Sequence, residues 1–337
     1  MPMAKGEVMS NRNRLRFITV GLLSTALMSI GPALAWADDE SILLDFVRHG
    51  ESIDNNAGII DTTPPGTALD TTGEGQASDV ATAIQNEYGT NIAGVFDSEE
   101  LRTQQTAQPL LDALSTAAGH TVTATTLGGL NEIPAGAFEG DPTTSLEGIL
   151  YLLGPLSWAM GDVLVPDIGD PSVNGVTFDE SFGAAVQSIY DGTASATGTP
   201  TDVAFSSEGA IAVWTLMNVN NPDFSVLLQE VEKTGGFLPD TGQVVIEGQP
   251  GDWTLVSYDG TPVSADPGLG TELFVDFRNL IEAPQFAGYD IYEALLTGNS
   301  TTIDAALQTG LSQVDAALSQ FPVDVFDQIV AAFGGSI

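Results

Sequence analysis

The stretch LLDFVRHGESIDNN, residues 43–56, constrains the chain most. Its apolar residues run together rather than alternate, and they stop at an arginine, a histidine and a glycine. A strand covered on both faces reads as such a run, so the stretch predicts a buried strand of a parallel sheet, with Arg48, His49 and Gly50 at its C-terminal end. In open α/β sheets ligands bind at that end. A neutral imidazole is a good nucleophile, and its ordinary pKa near ~6.5 keeps it largely neutral at physiological pH. The guanidinium beside it offers a planar fork of donors that matches phosphate oxygens. Together they point to attack on phosphorus, although three residues alone also suit a strand end with a solvated histidine.

Ahead of this strand, Arg12, Arg14 and Arg16 precede an apolar stretch over residues 17–34, which runs into Ala35, Trp36 and Ala37 before Asp38 and Asp39. A basic n-region, an apolar h-region and an A-x-A site mark a secretory signal peptide over residues 1–37. Secretion or a place in the cell envelope is therefore expected, with cleavage after Ala37 or, as the alternative, Ala35. The stretch approaches the roughly 20 residues that span a bilayer, so an uncleaved anchor is the competing expectation, and membrane contact would then run only through this segment.

The formal net charge is −37, and beyond residue 37 only Arg48, Arg102, Lys233 and Arg278 are basic. Such a field repels nucleic acid and anionic lipid, which makes both poor partners. It also repels a phosphorylated substrate unless the few arginines gather in one pocket. The chain has no cysteine, so stability rests on the core and lipid attachment through a thiol is excluded.

Residues 61–70 read as a Pro- and Gly-containing loop. Residues 69–88 carry Ala77, Val80, Ala81, Ile84 and Tyr88 at helical spacing, with Thr72 as the expected cap. Residues 92–96 form a second predicted strand, followed at once by a helix over 97–114 with Arg102 in its opening. A helix start offers free N–H groups and a favourable dipole to an anion. A third strand is expected over 121–126, leading to GGLNEIPAGAFEG at 128–140, where Glu132 is placed to act as general acid to a leaving oxygen. His120, the only other histidine, precedes that strand on the side opposite the expected site and is read as a surface residue.

These segments resemble the histidine phosphatase superfamily, in its phosphoglycerate-mutase-like branch. RHGES with Asn55 resembles the nucleophile motif, and LDTTGEGQA resembles the L-T-x-x-G-x-x-Q-A helix that follows it. SEELRTQQTA resembles the S-x-x-x-R-T-x-x-T-A segment, and LNEIPAGAFEG the L-x-E-x-x-x-G-x-x-E-G segment. Four matches in the right order are far more specific than any single one. The resemblance implies a three-layer α/β/α sandwich with a mostly parallel central sheet. It implies His49 as the nucleophile that becomes a phosphohistidine, Arg48 and Arg102 on the phosphoryl oxygens, Asn55 in the phosphate pocket and Glu132 as proton donor. It also implies no metal and no other cofactor.

The second half departs from the pattern. Residues 201–217 read as strand, turn and helix and resemble the V-S-H-G-G-V-I segment of the family, but Ser207 stands where the second histidine is expected, with Glu208 beside it. Serine donates one hydrogen bond and carries no positive charge, so part of the stabilisation of transition-state charge should be missing. Residues 238–263 show two alternating runs joined by a Gly/Pro turn, resembling the closing strands of the fold. The phosphatase-like domain is thus expected over 38–270, with 141–200 an insertion or cap. Residues 271–337 are expected as a helical extension. In it Leu307, Leu311, Val314, Leu318 and Phe321 share one helical face, read first as packing on the main domain and otherwise as a partner or self-association surface.

The leading expectation is an exported enzyme that hydrolyses small phosphomonoesters through phosphohistidine. The alternatives are a pseudoenzyme that binds a phosphorylated ligand without turnover, and an envelope protein whose C-terminal helices make the functional contact.

Overall fold

The computed structural model describes residues 41–194 and 198–332. The expected signal segment, residues 1–37, lies outside the described residues. The apolar run becomes strand β1 (Ile42–Arg48), and both of its faces are buried, which is why its sequence does not alternate. Ile42, Leu44 and Phe46 point into one apolar core, and Val47 points into a second on the other side.

Helices α2 (Thr71–Tyr88) and α3 (Leu101–Ala118) close the second core with Ala81, Ile84, Ala107 and Leu110. The first is covered by α5 (Gly175–Thr193) and α6 (Glu208–Asn218), whose Phe182 and Trp214 stack at 5.2 Å between ring centres, each also against Phe46. The result is a three-layer α/β/α arrangement.

The sheet also contains β2 (Ile92–Asp97), β3 (Thr125–Thr126), β4 (Thr201–Ser206), β5 (Gln243–Gln249), β6 (Asp252–Tyr258) and β7 (Thr261–Pro262). Its order is β3-β2-β4-β1-β5-β6-β7. The first four strands of that order run parallel to one another, and the last three add an antiparallel edge. This mixed, mostly parallel sheet is the expected phosphoglycerate-mutase-like fold.

Two local readings shift. Helix α2 starts one residue before Thr72, and its N-cap is Asp70, whose side chain accepts from Gly73 N at 2.9 Å. Of residues 121–126 only Thr125 and Thr126 pair, because β2 offers them only Phe96 and Asp97, while Val122 N donates to Ser115 Oγ instead. The insertion holds α4 (Leu146–Ala159) and α5.

Beyond β7 lie α7's successors in the chain, the long helices α8 (Leu269–Thr297) and α9 (Ser300–Ala332); α7 itself (Phe224–Thr234) follows α6. Helix α8 is bound to the main body. Arg278 is fully buried and donates to the carbonyls of Leu216 and Val219 at the end of α6, and Phe274 meets Phe224 edge-on at 4.9 Å. Helix α9 approaches α8 closely at Gly310, where a Cβ would come within 3.0 Å of that of Ala287. That contact turns the leucines the other way: Leu307, Leu311 and Leu318 are exposed, which corrects the expectation that they pack inward.

Candidate active site

Parallel pairing brings three strand ends together. Arg48 of β1 lies opposite Ser206 of β4, and Asp97 of β2 lies opposite Phe205 of β4, so the residues that follow each strand meet at one edge of the sheet. His49 N donates to Ser206 O, which fixes the loop after β1 beside Ser207. A short helix, α1 (Ile53–Ala57), then turns the chain away. Gly50 is required because the loop passes against the start of α2: a Cβ on it would stand 2.7 Å from Gly73 O.

His49 is almost wholly buried. Its Nδ1 lies 2.8 Å from Gly50 O, an atom that can only accept, so Nδ1 carries the proton and Nε2 keeps its lone pair. Arg102 Nε donates to that lone pair at 2.9 Å. Burial, followed by the charges of Arg102 and Arg48, holds the imidazole pKa well below its ordinary value and keeps the ring neutral.

Arg102, in the first turn of α3, is buried and engaged on every side. Its Nη2 pairs with Glu100 Oε1 at 2.6 Å and reaches Ser207 Oγ at 3.4 Å, and its Nη1 pairs with Asp61 at 3.3 Å. Arg48 is held from the opposite side, by Glu208 at 2.9 Å, Asp240 at 3.0 Å and the carbonyl of Leu238. Its Nε is buried without a partner among the described residues.

Glu132 faces the amino end of α6, where its carboxyl accepts from Gly209 N at 3.1 Å and Ala210 N at 2.9 Å, as well as from Ile133 N. Burial and, next, the nearby charge of Glu100 push its pKa up to about 7, against the lowering pull of those amides. A carboxyl of this kind is half protonated near neutral pH and can give up a proton. Ser207 Oγ donates to Glu100 Oε2 at 2.9 Å.

His49, Arg102, Glu100, Ser207 and Glu132 thus form one connected group, with Arg48 bordering it. Asn55 stands apart from that network. It is exposed in α1, where its amide oxygen accepts from Ser52 N and Ser52 Oγ as part of a helix cap. His120 is exposed at the end of α3, as expected. Sequence reasoning missed Glu100, Asp61 and Asp240, which look like ordinary loop acids in a chain this acidic. The nearest signal was the scarcity of basic residues, since a buried arginine needs a counter-charge. No group of three or more His, Cys, Asp or Glu among the described residues is arranged to hold a metal ion.

The mostly parallel sheet with a histidine and two arginines at its strand ends defines a phosphoglycerate-mutase-like α/β protein. Residues 44–150 match the model of the histidine phosphatase superfamily (branch 1). It is 45% identical over 303 residues to the PE-PGRS family protein PE_PGRS11 of Mycobacterium tuberculosis, a match covering 88% of this chain and 49% of the relative. The chain therefore spans about half the length of that relative. Among solved structures it is similar to a mycobacterial glucosyl-3-phosphoglycerate phosphatase complexed with VO3, with TM-score 0.50 and 16% identity, covering 65% of this chain and all of that one. A phosphoglycerate mutase from Bacillus anthracis is also similar, with TM-score 0.44 and 17% identity over 72% of this chain and 98% of that one. At 16% identity the glucosyl-3-phosphoglycerate phosphatase speaks to the fold alone.

Proposed function

We propose that the chain is an exported phosphomonoester hydrolase acting through a phosphohistidine on His49. The observation that carries this reading is the neutral, buried imidazole whose Nε2 lone pair faces Arg102 at the C-terminal end of β1. In the first step Arg102 Nε gives up its hydrogen bond to Nε2, the freed lone pair attacks phosphorus in line, the N–P bond forms as the bond to the leaving oxygen breaks, and the proton of Glu132 passes to that oxygen. In the second, water attacks phosphorus and gives its proton to the Glu132 carboxylate; the N–P bond breaks and its electron pair returns to Nε2.

Arg48 and Arg102 exchange their carboxylate partners for phosphoryl oxygens, and Asn55, whose amide oxygen is held by Ser52, is the further donor assigned to them in this reading. Ser207 takes the place of a second histidine and supplies a hydrogen bond without a charge. Phosphorylated small molecules are substrates typical of the superfamily whose model residues 44–150 match, and they suit this donor set. The basic, then apolar, then small-residue pattern of residues 1–37 supports export.

A pseudoenzyme is the second reading, favoured by one observation: both arginines are already neutralised by carboxylates, Arg102 by Glu100 and Asp61, Arg48 by Glu208 and Asp240. Hydrolysis of a generic aryl phosphate by the protein and by His49→Ala separates the two. Turnover that disappears in the variant while its fold is retained supports the phosphohistidine route. Equal turnover in both proteins sinks it, and its absence from both, with the fold intact, leaves the pseudoenzyme.

A further inference from the structure

We infer that Glu100 is an internal competitor for the anion pocket: its carboxylate occupies the same donors, Arg102 Nη2 and Ser207 Oγ, that an incoming phosphoryl group needs. The inference rests on the reading of this pocket as a phosphate site and adds the residue that sets its affinity. Glu100 is fully buried at the N-cap of α3, yet it makes no side-chain capping bond to that helix. Its oxygens are spent on the pocket. One accepts from Arg102 at 2.6 Å and from the backbone N–H of Glu132 at 3.3 Å; the other accepts from Ser207 at 2.9 Å and from Ser98 Oγ at 3.1 Å.

The consequence for Ser207 is directional. A hydroxyl has one hydrogen, and while Glu100 is ionised that hydrogen points at it, leaving only lone pairs for an anion. A charged Glu100 therefore removes the serine donor and half of the arginine together. Once the carboxyl is neutral, Ser207 is free to turn its hydrogen toward a phosphoryl oxygen, and Arg102 keeps its charge for the ligand.

Burial makes Glu100 easier to protonate than an exposed carboxylate. Burial raises the Glu100 pKa, against the lowering pull of Arg102, Ser207 and the other donors. The charged or titratable groups packed around it are Arg102 on its own helix with Asp61 behind it, Glu132 from the loop after β3, Tyr151 from α4, and the neutral His49. Among these charged groups only Arg102 opposes protonation, alongside the hydrogen bonds from Ser207, Ser98 and Glu132 N, and Arg102 is shared with Asp61.

Glu100→Gln tests this directly. The amide retains an acceptor for Arg102 and donates to Ser207 Oγ, which releases the serine hydrogen. Sulfate, a dianion at all pH values used, is the probe, with binding followed by titration calorimetry on the intact protein and the variant near neutral pH. Removing one charge this close to a dianion should tighten sulfate binding about tenfold or more. Equal or weaker binding to a folded variant overturns the inference.

A measurement on the unaltered protein guards against a variant that fails to fold: sulfate affinity should rise as pH falls from about 8 to about 5, and the rise should persist in Glu132→Gln, which keeps Glu100 as the buried carboxyl bonded to Arg102 and Ser207. A flat profile overturns the inference as well. Aryl phosphate turnover with no gain in Glu100→Gln defeats this inference alone, whereas absence of both turnover and sulfate binding in every protein defeats the phosphate-site reading too.

Discussion

At the scale of single residues, His49 and Glu132 have pKa values pushed apart in the sense that a nucleophile and a proton donor require. In the proposed route the histidine must be neutral to attack, and it is held so to well below pH 6.5, because burial and two guanidinium groups oppose its protonation. The glutamic acid must be protonated to serve the leaving oxygen, and its pKa near 7 means that form is lost as pH rises through neutrality. Hydrolysis should therefore be favoured on the acid side: kcat/KM for an aryl phosphate is expected to fall above about pH 7 and to hold down to values where an ordinary imidazole would already be charged. Glu132→Gln should lower the rate by about two orders of magnitude or more and remove the alkaline limb, which a pH–rate profile of both proteins would record. A limb unchanged in the variant would assign it to another group. Neither shift is readable from the sequence, since each depends on neighbours distant along the chain.

At the scale of elements, the third arginine beyond residue 37 explains why α8 belongs to the body of the molecule. Arg278 is buried and donates to Leu216 O and Val219 O, so its charge faces the carboxyl end of α6, where the helix dipole favours a cation and free carbonyls need donors. Gln285 adds a second tie, accepting from Leu164 N and donating to Gly161 O in the insertion. Arg278→Met keeps much of the volume but strips the donors, and should cost about 3 kcal/mol of stability in urea unfolding while leaving the His49 site chemically intact. A loss within the error of the measurement would show that water replaces the arginine without penalty. The 4-3 spacing of leucines in α9 identified a helix correctly but not its inner face. Gly310 and the small residues beside it permit the close approach to α8, and the leucines are left outside.

For the whole molecule the dominant quantity is charge. A chain of net charge −37 repels itself, and the core contains carboxyls that resist ionisation: burial raises Asp45 to about 8 and Asp202 to about 6, as it raises Glu132 to about 7. In the unfolded chain these groups ionise near ~4, so over the interval from there to about 8 the native state holds more protons than the unfolded one. The sign follows: their contribution to stability is complete at the acid end of that window and is lost as pH rises. The melting temperature is therefore expected to be higher near pH 5 than near pH 8, and to rise with added salt at the higher pH as repulsion is screened. Calorimetric or circular-dichroism melts at two pH values and two salt concentrations would check both, and a maximum at alkaline pH would contradict the buried carboxyl assignments.

The sequence by itself determined the elements and the chemistry carried within each. The continuous apolar run of β1 ends at Arg48 and His49, the helix after β2 opens with Arg102, and Glu132 follows an apolar approach; all are local patterns set by burial period and by residue type. Tertiary structure decided what those residues face. Ser207 and Glu100 lie 107 residues apart, and they meet only because β4 inserts between β1 and β2 in parallel register. The seating of Glu132 on the first amides of α6, the carboxylates that hold both arginines, and the outward turn of the α9 leucines arise the same way. Each depends on which distant backbone lies alongside, and a linear pattern of apolar and polar residues fixes burial without fixing the neighbour.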